Sequence, residues 1–264
     1  RKRGLLNQFN EYILGNSKNT FKENTIEEVK EKIPNIKYII TLDADTDLVL
    51  NSGIELIGAM AHILNKPILN KKNDLVISGH ALMQSRVGIN LSAIGKSTFT
   101  KIYAGSGGTD AYTNAISDTY QDNFDEGIFT GKGIYDLKVF SQVLNNEIPE
   151  NTVLSHDLLE GNYLRCGLVS DISLMDGYPV GYNSFKSRQH RWIRGDWQII
   201  LWLKKHIKNR KGEIKENPLN TISKFKIWDN LLRSSLEPVV ILLLVILSII
   251  DIIYNINFIL LCKI

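Results

Sequence analysis

The sequence predicts an α/β fold, a sheet flanked by helices, which is followed by an amphipathic helix and a membrane-spanning segment. Three observations support this prediction. Apolar runs typical of buried strands alternate with helical periodicities in the first part of the chain. A basic, tryptophan-containing stretch follows, and an almost unbroken apolar run lies near the end. With 264 residues, 44% of them hydrophobic, the chain can bury a sizeable core.

Two helices are predicted in the N-terminal part. Apolar residues at helical spacing indicate the first over residues 4–14. The second covers residues 25–33 and ends before Pro34, which cannot continue a helix.

A strand, a helix and a second strand are predicted next. NIKYIITL, residues 35–42, alternates little between apolar and polar positions and is typical of a central parallel strand. Residues 53–64 form the helix that follows, and residues 74–80 form the second strand. Such a unit belongs to a doubly wound sheet, which places ligands at the carboxyl ends of its strands. Asp43 and Asp45 lie at such an end.

The rest of the globular part is predicted to contain four helices and one strand. In chain order, these are helices over residues 92–105 and 110–124 with a glycine-rich turn at 105–110 between them, a short helix over 155–167, a strand over 168–175 and a long helix over 184–208. Ser155 is the expected N-cap of the short helix, and Gly167 is its expected stop.

The C-terminal segment predicts contact with a bilayer. Residues 239–250 are apolar apart from Ser248, and a short extension in either direction reaches the roughly 20 residues that a bilayer requires, with Pro238 as a tolerated kink. Basic residues dominate residues 186–226, as expected where a cytoplasmic face meets a membrane. A renewed apolar stretch over 256–264 favours a pair of membrane segments. A buried core helix is the alternative.

Composition excludes several classes of protein. Charged residues make up 22% of the chain and the net charge is +3, which fits neither a disordered tail nor a general nucleic-acid-binding protein. The two cysteines, Cys166 and Cys262, are far apart, which indicates a reducing compartment without a disulfide framework and excludes a cysteine-based zinc site. The chain has no initiator Met and no visible signal peptide, and we expect it to be a piece of a longer polypeptide.

Three carboxylates, Asp43, Asp45 and Asp47, stand at alternate positions after the first strand. Like charges this close raise one another's pKa unless a cation lies among them, and Mg²⁺ or Mn²⁺ shared with a substrate diphosphate suits such oxygen ligands. An EF-hand is excluded because Leu48 and Ile54 replace the Gly and Glu that its loop requires. Asp47 is expected to be a turn or helix-entry residue.

Two enzyme classes remain open for the other carboxylates. Residues 45–50 resemble the first motif of the haloacid-dehalogenase-like phosphatases, with Asp45 as nucleophile, although no convincing later acidic pair follows. The other class is a nucleotide-sugar glycosyltransferase, in which a metal at the D-x-D neutralises the departing nucleoside diphosphate.

The stretch SRQHRWIRGDWQ favours the glycosyltransferase. Arg188 lies one turn before Trp192, and Arg191 is adjacent to that ring, so the helix can offer guanidinium groups to a diphosphate and an aromatic face to a sugar. The alternative is an amphipathic helix on the membrane surface, with Trp197 and Trp202 as interface anchors.

The order of these motifs resembles a known family. DAD at 43–45, SHD at 155–157 and RQHRW at 188–192, followed by an apolar segment, resemble the pattern of membrane-embedded, processive, family-2-like glycosyltransferases. The longer stretches TLDADT, AYTNAISDTYQDNFDEGIFTGKGIYDL, LSHDLLEG and RQHRWIRGDWQ are similar to the glycosyltransferase segment of the cyclic β-1,2-glucan synthases. The resemblance covers nearly the whole chain.

This resemblance implies a GT-A-type, Rossmann-like mixed sheet with flanking helices that transfers glucose from UDP-glucose to a growing β-1,2-glucan, with inversion and with Mg²⁺ or Mn²⁺. It implies a catalytic domain over residues 1–183 that lacks the start of the nucleotide-binding region. An interfacial helix and basic linker would occupy residues 184–227, and one or more transmembrane segments residues 228–264. Another processive β-glycan synthase, similar to cellulose synthase, and a non-enzymatic membrane scaffold are the alternatives.

The resemblance also implies a set of partners and a location. The partners are UDP-glucose, the growing glucan acceptor, the lipid bilayer and the remainder of a larger polypeptide, with no nucleic acid. The location is the bacterial cytoplasmic membrane, with the catalytic part facing the cytoplasm.

Roles for individual residues follow from the same resemblance. Asp157 matches the base that accepts the proton of the acceptor hydroxyl. Asp45 is the more direct metal ligand, and Asp43 is a second one near the diphosphate. Arg188 stands where the family pattern has glutamine. His156 is expected to be structural or to hydrogen-bond near Asp157, with no partner at metal-ligand spacing. The full set of expected substrate contacts is Asp43, Asp45, Gln84, Arg86, Gly131, Lys132, Gly133, Arg188, Arg191 and Trp192.

Overall fold

A mixed sheet lies at the centre of the fold. This computed structural model describes residues 2–18, 27, 35–104 and 118–261, and residues 255–261 are described by their backbone alone. The strands are β1 (Tyr38–Thr41), β2 (Thr46–Leu48), β3 (Ile68–Leu69), β4 (Val76–Ser78), β5 (Leu82–Ile89), β6 (Gly133–Asp136), β7 (Gly167–Asp176), β8 (His206–Lys208) and β9 (Ile214–Glu216). The helices are α1 (Lys2–Ile13), α2 (Ser52–Ala61), α3 (Leu91–Ile94), α4 (Thr98–Tyr103), α5 (Thr119–Phe124), α6 (Leu137–Leu144), α7 (Asp157–Leu164), α8 (Tyr182–Gln198) and α9 (Thr221–Leu261), with 3₁₀ turns at Ile63–Asn65 and Ile199–Leu203.

The main sheet has the strand order β1-β6-β5-β7-β2. Strands β5 and β7 run parallel, whereas the other three neighbouring pairs are antiparallel. Helices flank this sheet, so the prediction of a Rossmann-like mixed α/β sheet is confirmed. Strands β3 and β4 form one separate ribbon, and β8 and β9 form another.

The predicted strand–helix–strand unit is wrong in its pairing. Strand β1 lies at the edge of the sheet and runs antiparallel to β6, and the second predicted strand supplies β4, which lies outside the main sheet. The apolar run of β1 has a different cause from central parallel pairing. Ile39 packs against one apolar cluster, while Tyr38 and Ile40 pack against another on the opposite face. A strand covered on both faces shows little alternation whichever way its neighbour runs.

Two apolar clusters pack on the opposite faces of the sheet. Leu82 and Tyr135 belong to the larger cluster, whereas the adjacent residues Met83 and Ile134 belong to the smaller one. Successive side chains of a strand point to opposite faces, which accounts for this division. Helix α2 covers the smaller cluster, and α6 and α7 supply much of the larger one.

The predicted helices near residue 100 and residue 160 form with different boundaries. The helix expected over 92–105 is two short helices, α3 and α4, because Ser97 starts the second with a capping box to Thr100. Helix α7 has His156 rather than Ser155 at its N-cap position. It ends at Leu164, and the C-cap residue Arg165 takes a left-handed conformation with φ 51°. Gly167, the expected stop, begins β7 instead.

Some predictions fall on residues outside the described part of the chain. These are the helix over 25–33 apart from residue 27, the turn over 105–110, the first part of the helix over 110–124, and Cys262. The other cysteine, Cys166, lies within the described part and is a buried free thiol.

Helix α9 begins in the globular part and continues into an apolar extension. Its stretch Thr221–Tyr254 is long and apolar enough to cross a membrane by length and composition, and its most apolar window has no buried residue. Pro238 lies inside the helix. Residues 256–261 continue α9, so within the described residues the expected pair of apolar segments is a single helix. Isolated polar residues such as Asp251 and Asn255 divide the apolar pattern without ending the helix.

Candidate active site

A cavity of about 930 Å³ opens beside the turn after β1 and is also lined by α7, α8 and the first part of α9. Seven of the predicted site residues line it together: Asp43, Asp45, Lys132, Asp157, Arg188, Arg191 and Trp192. They come from four separate regions of the sequence. The fold therefore brings the three short motifs, DAD, SHD and RQHRW, to one place.

Gln84 and Arg86 do not line this cavity. Gln84 is completely buried in the central strand β5, where its Oε1 accepts hydrogen bonds from the backbone N–H (2.9 Å) and the Oγ1 (3.1 Å) of Thr130. Thr130 itself lines the cavity. Gln84 therefore supports the cavity wall from behind, and direct donor contact by Gln84 and Arg86 stays a prediction.

Gly131 and Gly133 permit close approaches that a side chain would prevent. Gly131 has φ +94°, and a Cβ at this position would lie 3.0 Å from Oδ1 of Asp157. Its carbonyl accepts a hydrogen bond from Nζ of Lys2 at 2.9 Å. A Cβ at Gly133 would lie 2.0 Å from the carbonyl oxygen of Met83 on the neighbouring strand. Gly131 thus lets the loop before β6 approach the carboxylate of Asp157, and Gly133 lets β6 approach β5 closely.

Asp157 is the first residue of α7, and its carboxylate faces the cavity. Burial raises the pKa of Asp157 above its ordinary value, and the neighbouring His156 only partly offsets this effect. Nδ1 of His156 lies 3.5 Å from Oδ1 of Asp157 and 3.0 Å from Oε2 of Glu160. The expectation that His156 has no partner at metal-ligand spacing is wrong, because Glu160 follows one helical turn later and the ligand atoms of all three residues lie within 4.8 Å of one another.

The three acidic residues after β1 separate instead of converging. Asp43 contacts Nζ of Lys2 and lies 3.3 Å from Nζ of Lys132. Burial alone would raise the pKa of Asp43, but these two ammonium groups outweigh burial and hold it below its ordinary value. Asp45 is exposed at the cavity. Asp47 lies in β2, not in a turn, and accepts a hydrogen bond from Nδ2 of Asn90 at 2.7 Å.

This arrangement fits a divalent cation that a substrate shares. Mg²⁺ in phosphate-binding sites commonly takes one or two carboxylates and completes its shell with water and substrate phosphates. Asp45 presents a solvent-exposed carboxylate to the cavity and suits that role. Asp43 suits it less well, because ammonium groups already contact both of its oxygens.

Asp176 is a site residue that the sequence analysis missed. It is the last residue of β7 and is buried, and its Oδ2 accepts a hydrogen bond from Nζ of Lys132 at 2.8 Å while its Oδ1 accepts one from Oγ1 of Thr46 at 2.7 Å. The two carboxylates of Asp43 and Asp176 thus hold the Lys132 ammonium between them. A carboxylate at the end of a predicted strand was the available signal.

Helix α8 supplies a layer of aromatic and guanidinium groups. The guanidinium of Arg188 lies 4.9 Å from the ring centroid of Trp192 and 5.4 Å from that of Tyr178. Burial lowers the pKa of Arg188, but cation–π contact with both rings compensates part of the lost hydration. In this conformation Arg188 stacks with Trp192 and fixes the ring at the cavity wall, whereas the sequence analysis expected it to reach a diphosphate.

The other two tryptophans of this region differ from each other. Trp202 is buried in the larger apolar cluster, and its Nε1 donates to the hydroxyl of Tyr163 at 3.2 Å. Its alternative role as an interface anchor is therefore wrong. Trp197 is 47% exposed and donates to Oγ of Ser234 on α9 at 3.1 Å.

Helix α9 also contributes to the cavity, which the sequence analysis did not foresee. Asn230, Arg233, Ser234 and Glu237 line it from one face of this helix, at spacings of three and four residues. The apolar extension begins directly afterwards, at Val239.

Comparison with known proteins agrees with the motif order. No protein-family model matches the chain. Over 241 residues it is 40% identical to cyclic β-(1,2)-glucan synthase NdvB of Rhizobium meliloti (strain 1021). The match covers 90% of the chain but 8% of that relative, so the chain spans a small segment of the relative's length. The chain is therefore related by sequence to the cyclic β-glucan synthase family.

Proposed function

We propose that the chain is the glycosyltransferase segment of a glucan synthase and that it transfers glucose from UDP-glucose to a growing β-1,2-glucan with inversion. The observation that carries the proposal is the shared cavity, in which the side chains of Asp45, Asp157, Arg191 and Trp192 meet. The 40% identity to NdvB over most of the chain supports it independently.

Asp157 acts as the base in this proposal. Its carboxylate accepts the proton of the acceptor hydroxyl while that oxygen attacks C1 of the donor glucose. The bond from C1 to the diphosphate oxygen breaks, and its electron pair leaves with the nucleoside diphosphate. Attack opposite the leaving group inverts the configuration at C1.

Cationic side chains of the same cavity stabilise the departing diphosphate. Lys2, Lys132 and Arg191 all line it, and positive groups fixed in place before the reaction stabilise developing negative charge without reorganisation. A bound Mg²⁺ or Mn²⁺ held by Asp45, with Asp43 beside it, would supply further positive charge at the diphosphate. The ring of Trp192 offers the sugar acceptor an apolar face beside Asp157.

The proposal includes a place in the membrane. The apolar part of α9 would span the bacterial cytoplasmic membrane, and the basic residues before it would lie at the cytoplasmic surface. The cavity would then face the cytoplasm, next to the membrane, with the remainder of a larger polypeptide as its partner.

Product analysis tests this proposal. Membranes that contain the full-length protein are supplied with radiolabelled UDP-glucose and Mg²⁺ or Mn²⁺, and the glycosidic linkage of the labelled product is determined. We expect labelled β-1,2-glucan. A different β-linkage would favour another processive glycan synthase. If no labelled glucan forms and Asp45 carries an aspartyl-phosphate, the phosphatase is favoured. If neither a labelled glucan nor an aspartyl-phosphate forms, enzymatic function is contradicted.

A further inference from the structure

A cluster of buried charged groups adjoins Asp157. His156 is 6% exposed and Glu160 is 1% exposed, and Nδ1 of His156 lies 3.0 Å from Oε2 of Glu160. Nε of Arg3, on α1, lies 3.8 Å from the other oxygen of Glu160. Neither Glu160 nor Arg3 lines the cavity, so the proposed transfer does not use either of them directly.

A buried carboxylate requires a positive partner, because an ionised group is costly to remove from water unless it is paired. Glu160 has two such partners, the imidazole of His156 and the guanidinium of Arg3. The imidazole also lies 3.5 Å from Oδ1 of Asp157. His156 therefore sits between two carboxylates, one structural and one at the cavity.

We propose that His156, held by Glu160, is a positioning residue that keeps the carboxylate of Asp157 ionised and directed toward the acceptor. This inference rests on the proposed function, because it assumes that Asp157 is the base of the sugar transfer. Within the described part of the chain, charged and titratable groups face this cluster from several elements: Lys2 and Arg3 on α1, Asp43 after β1, Tyr135 on β6, Asp157 and Glu160 on α7, and Glu150 and Arg210 beside Arg3.

The electrostatic environment is consistent with this role. Burial raises the pKa of Asp157, which disfavours a base, and the imidazolium of His156 acts against burial. Burial likewise lowers the pKa of His156, but the carboxylates of Glu160 and Asp157 outweigh burial, so the net direction is upward. Glu160 also repels Asp157 directly, though less than His156 attracts it. Loss of the imidazolium should therefore raise the pKa of Asp157 most. Loss of the Glu160 charge lowers the pKa of His156 and so removes the imidazolium, but it also removes the direct repulsion of Asp157, so the net rise in the pKa of Asp157 should be smaller.

The pH dependence of sugar transfer tests the inference. The full-length protein and its His156→Gln and Glu160→Gln variants are assayed with labelled UDP-glucose between about pH 5 and pH 9. For His156→Gln we expect the acid limb of the kcat profile to move up by about one pH unit or more, with recovery at high pH. For Glu160→Gln we expect a smaller move in the same direction. KM for UDP-glucose should stay at the wild-type value in both variants.

A matched control comes from a second buried histidine. His80 is also 6% exposed and lies 3.5 Å from a carboxylate, that of Asp125, but it does not line the cavity. His80→Gln should leave the position of the acid limb unchanged, whatever its effect on stability. If His156→Gln does not accumulate as folded protein, Glu160→Gln and this control carry the comparison.

The outcomes separate this inference from the proposed function. A wild-type protein that transfers no sugar contradicts both. A wild-type protein that transfers sugar, with His156→Gln losing activity by the same factor at every pH, contradicts the inference alone, because such a loss indicates a merely structural histidine. If the acid limb of both variants coincides with that of the wild type, this result also contradicts the inference and leaves the proposed function intact.

Discussion

At the scale of single residues, the place of Asp157 depends on Gly131. A Cβ at Gly131 would lie 3.0 Å from the Asp157 carboxylate, and the backbone there has φ +94°. We expect Gly131→Ala to cost about 1–2 kcal/mol of stability, since it forces a left-handed backbone on an L-residue. It should also lower the rate of sugar transfer, because the new methyl group displaces the carboxylate. Thermal unfolding and initial rates of the full-length protein measure the two effects.

Gly212 provides the matched control for this prediction. It has φ +83°, but a Cβ there meets nothing within 4 Å, and it lies in the turn between β8 and β9. Gly212→Ala should therefore show a similar loss of stability with a wild-type transfer rate. Equal losses of rate in the two variants would remove the special role of Gly131.

Sequence reasoning identified some site residues and missed others for a physical reason. Asp43, Asp45 and Asp157 stand directly after a strand or at a helix start, positions at which local patterns reveal a chemical role. Lys2 was missed because its importance comes from Asp43, a partner distant in sequence, and Asp176, although it stands at a strand end, gains its role from the equally distant Lys132. No local spacing encodes such a pair.

At the scale of elements, periodicity identified the class of most helices and strands but not their neighbours. Strand β7 lies where its pattern predicted it, whereas the helix predicted over 184–208 is wrong in its second half, because α8 ends at Gln198 and a 3₁₀ turn and β8 follow. The pairing of β1 could not be predicted, because the apolar pattern records burial on both faces and carries no information about strand direction. The division between α3 and α4 depends on the local capping box at Ser97.

Two tryptophans near the end of α8 differ in burial: Trp197 lies in the last turn of the helix, and Trp202 lies in the 3₁₀ turn that follows. Trp202 is 3% exposed within the larger apolar cluster, whereas Trp197 is about half exposed. We expect Trp202→Ala to cost about 3–5 kcal/mol of stability, the usual range for removal of a large buried aromatic side chain. Trp197→Ala should cost far less. Thermal unfolding of the detergent-solubilised full-length variants provides the comparison, and equal losses would contradict the assignment of Trp202 to the core.

At the scale of the whole molecule, one helix joins the candidate site to the apolar segment. The first part of α9 lines the cavity through Arg233 and Glu237, and the part after Pro238 is exposed and apolar. In the proposed arrangement, the reaction therefore takes place next to the bilayer, where a growing polymer can be passed on.

This arrangement predicts how charge affects membrane attachment. Two arginines in the apolar part of α9, Leu243→Arg with Ile246→Arg, should each cost about 2.5–3.5 kcal/mol at the centre of a membrane span. We expect the variant segment 118–264, fused to a reporter for insertion, to lose membrane integration. Ile214→Arg in the same fused segment, at an exposed apolar position outside α9, should integrate as wild type. Integration that survives both arginines would contradict a membrane-spanning α9.

The most direct test of the central claim compares sugar transfer and UDP binding in one preparation of the full-length Asp157→Asn variant. The cavity places Asp157 on α7 and Asp45 after β1 in one space, so loss of the base should leave the nucleotide contacts intact. We predict that transfer falls by about 10²–10⁴-fold, the usual contribution of a general base, while UDP binds with wild-type affinity. Transfer at the wild-type rate would contradict the account.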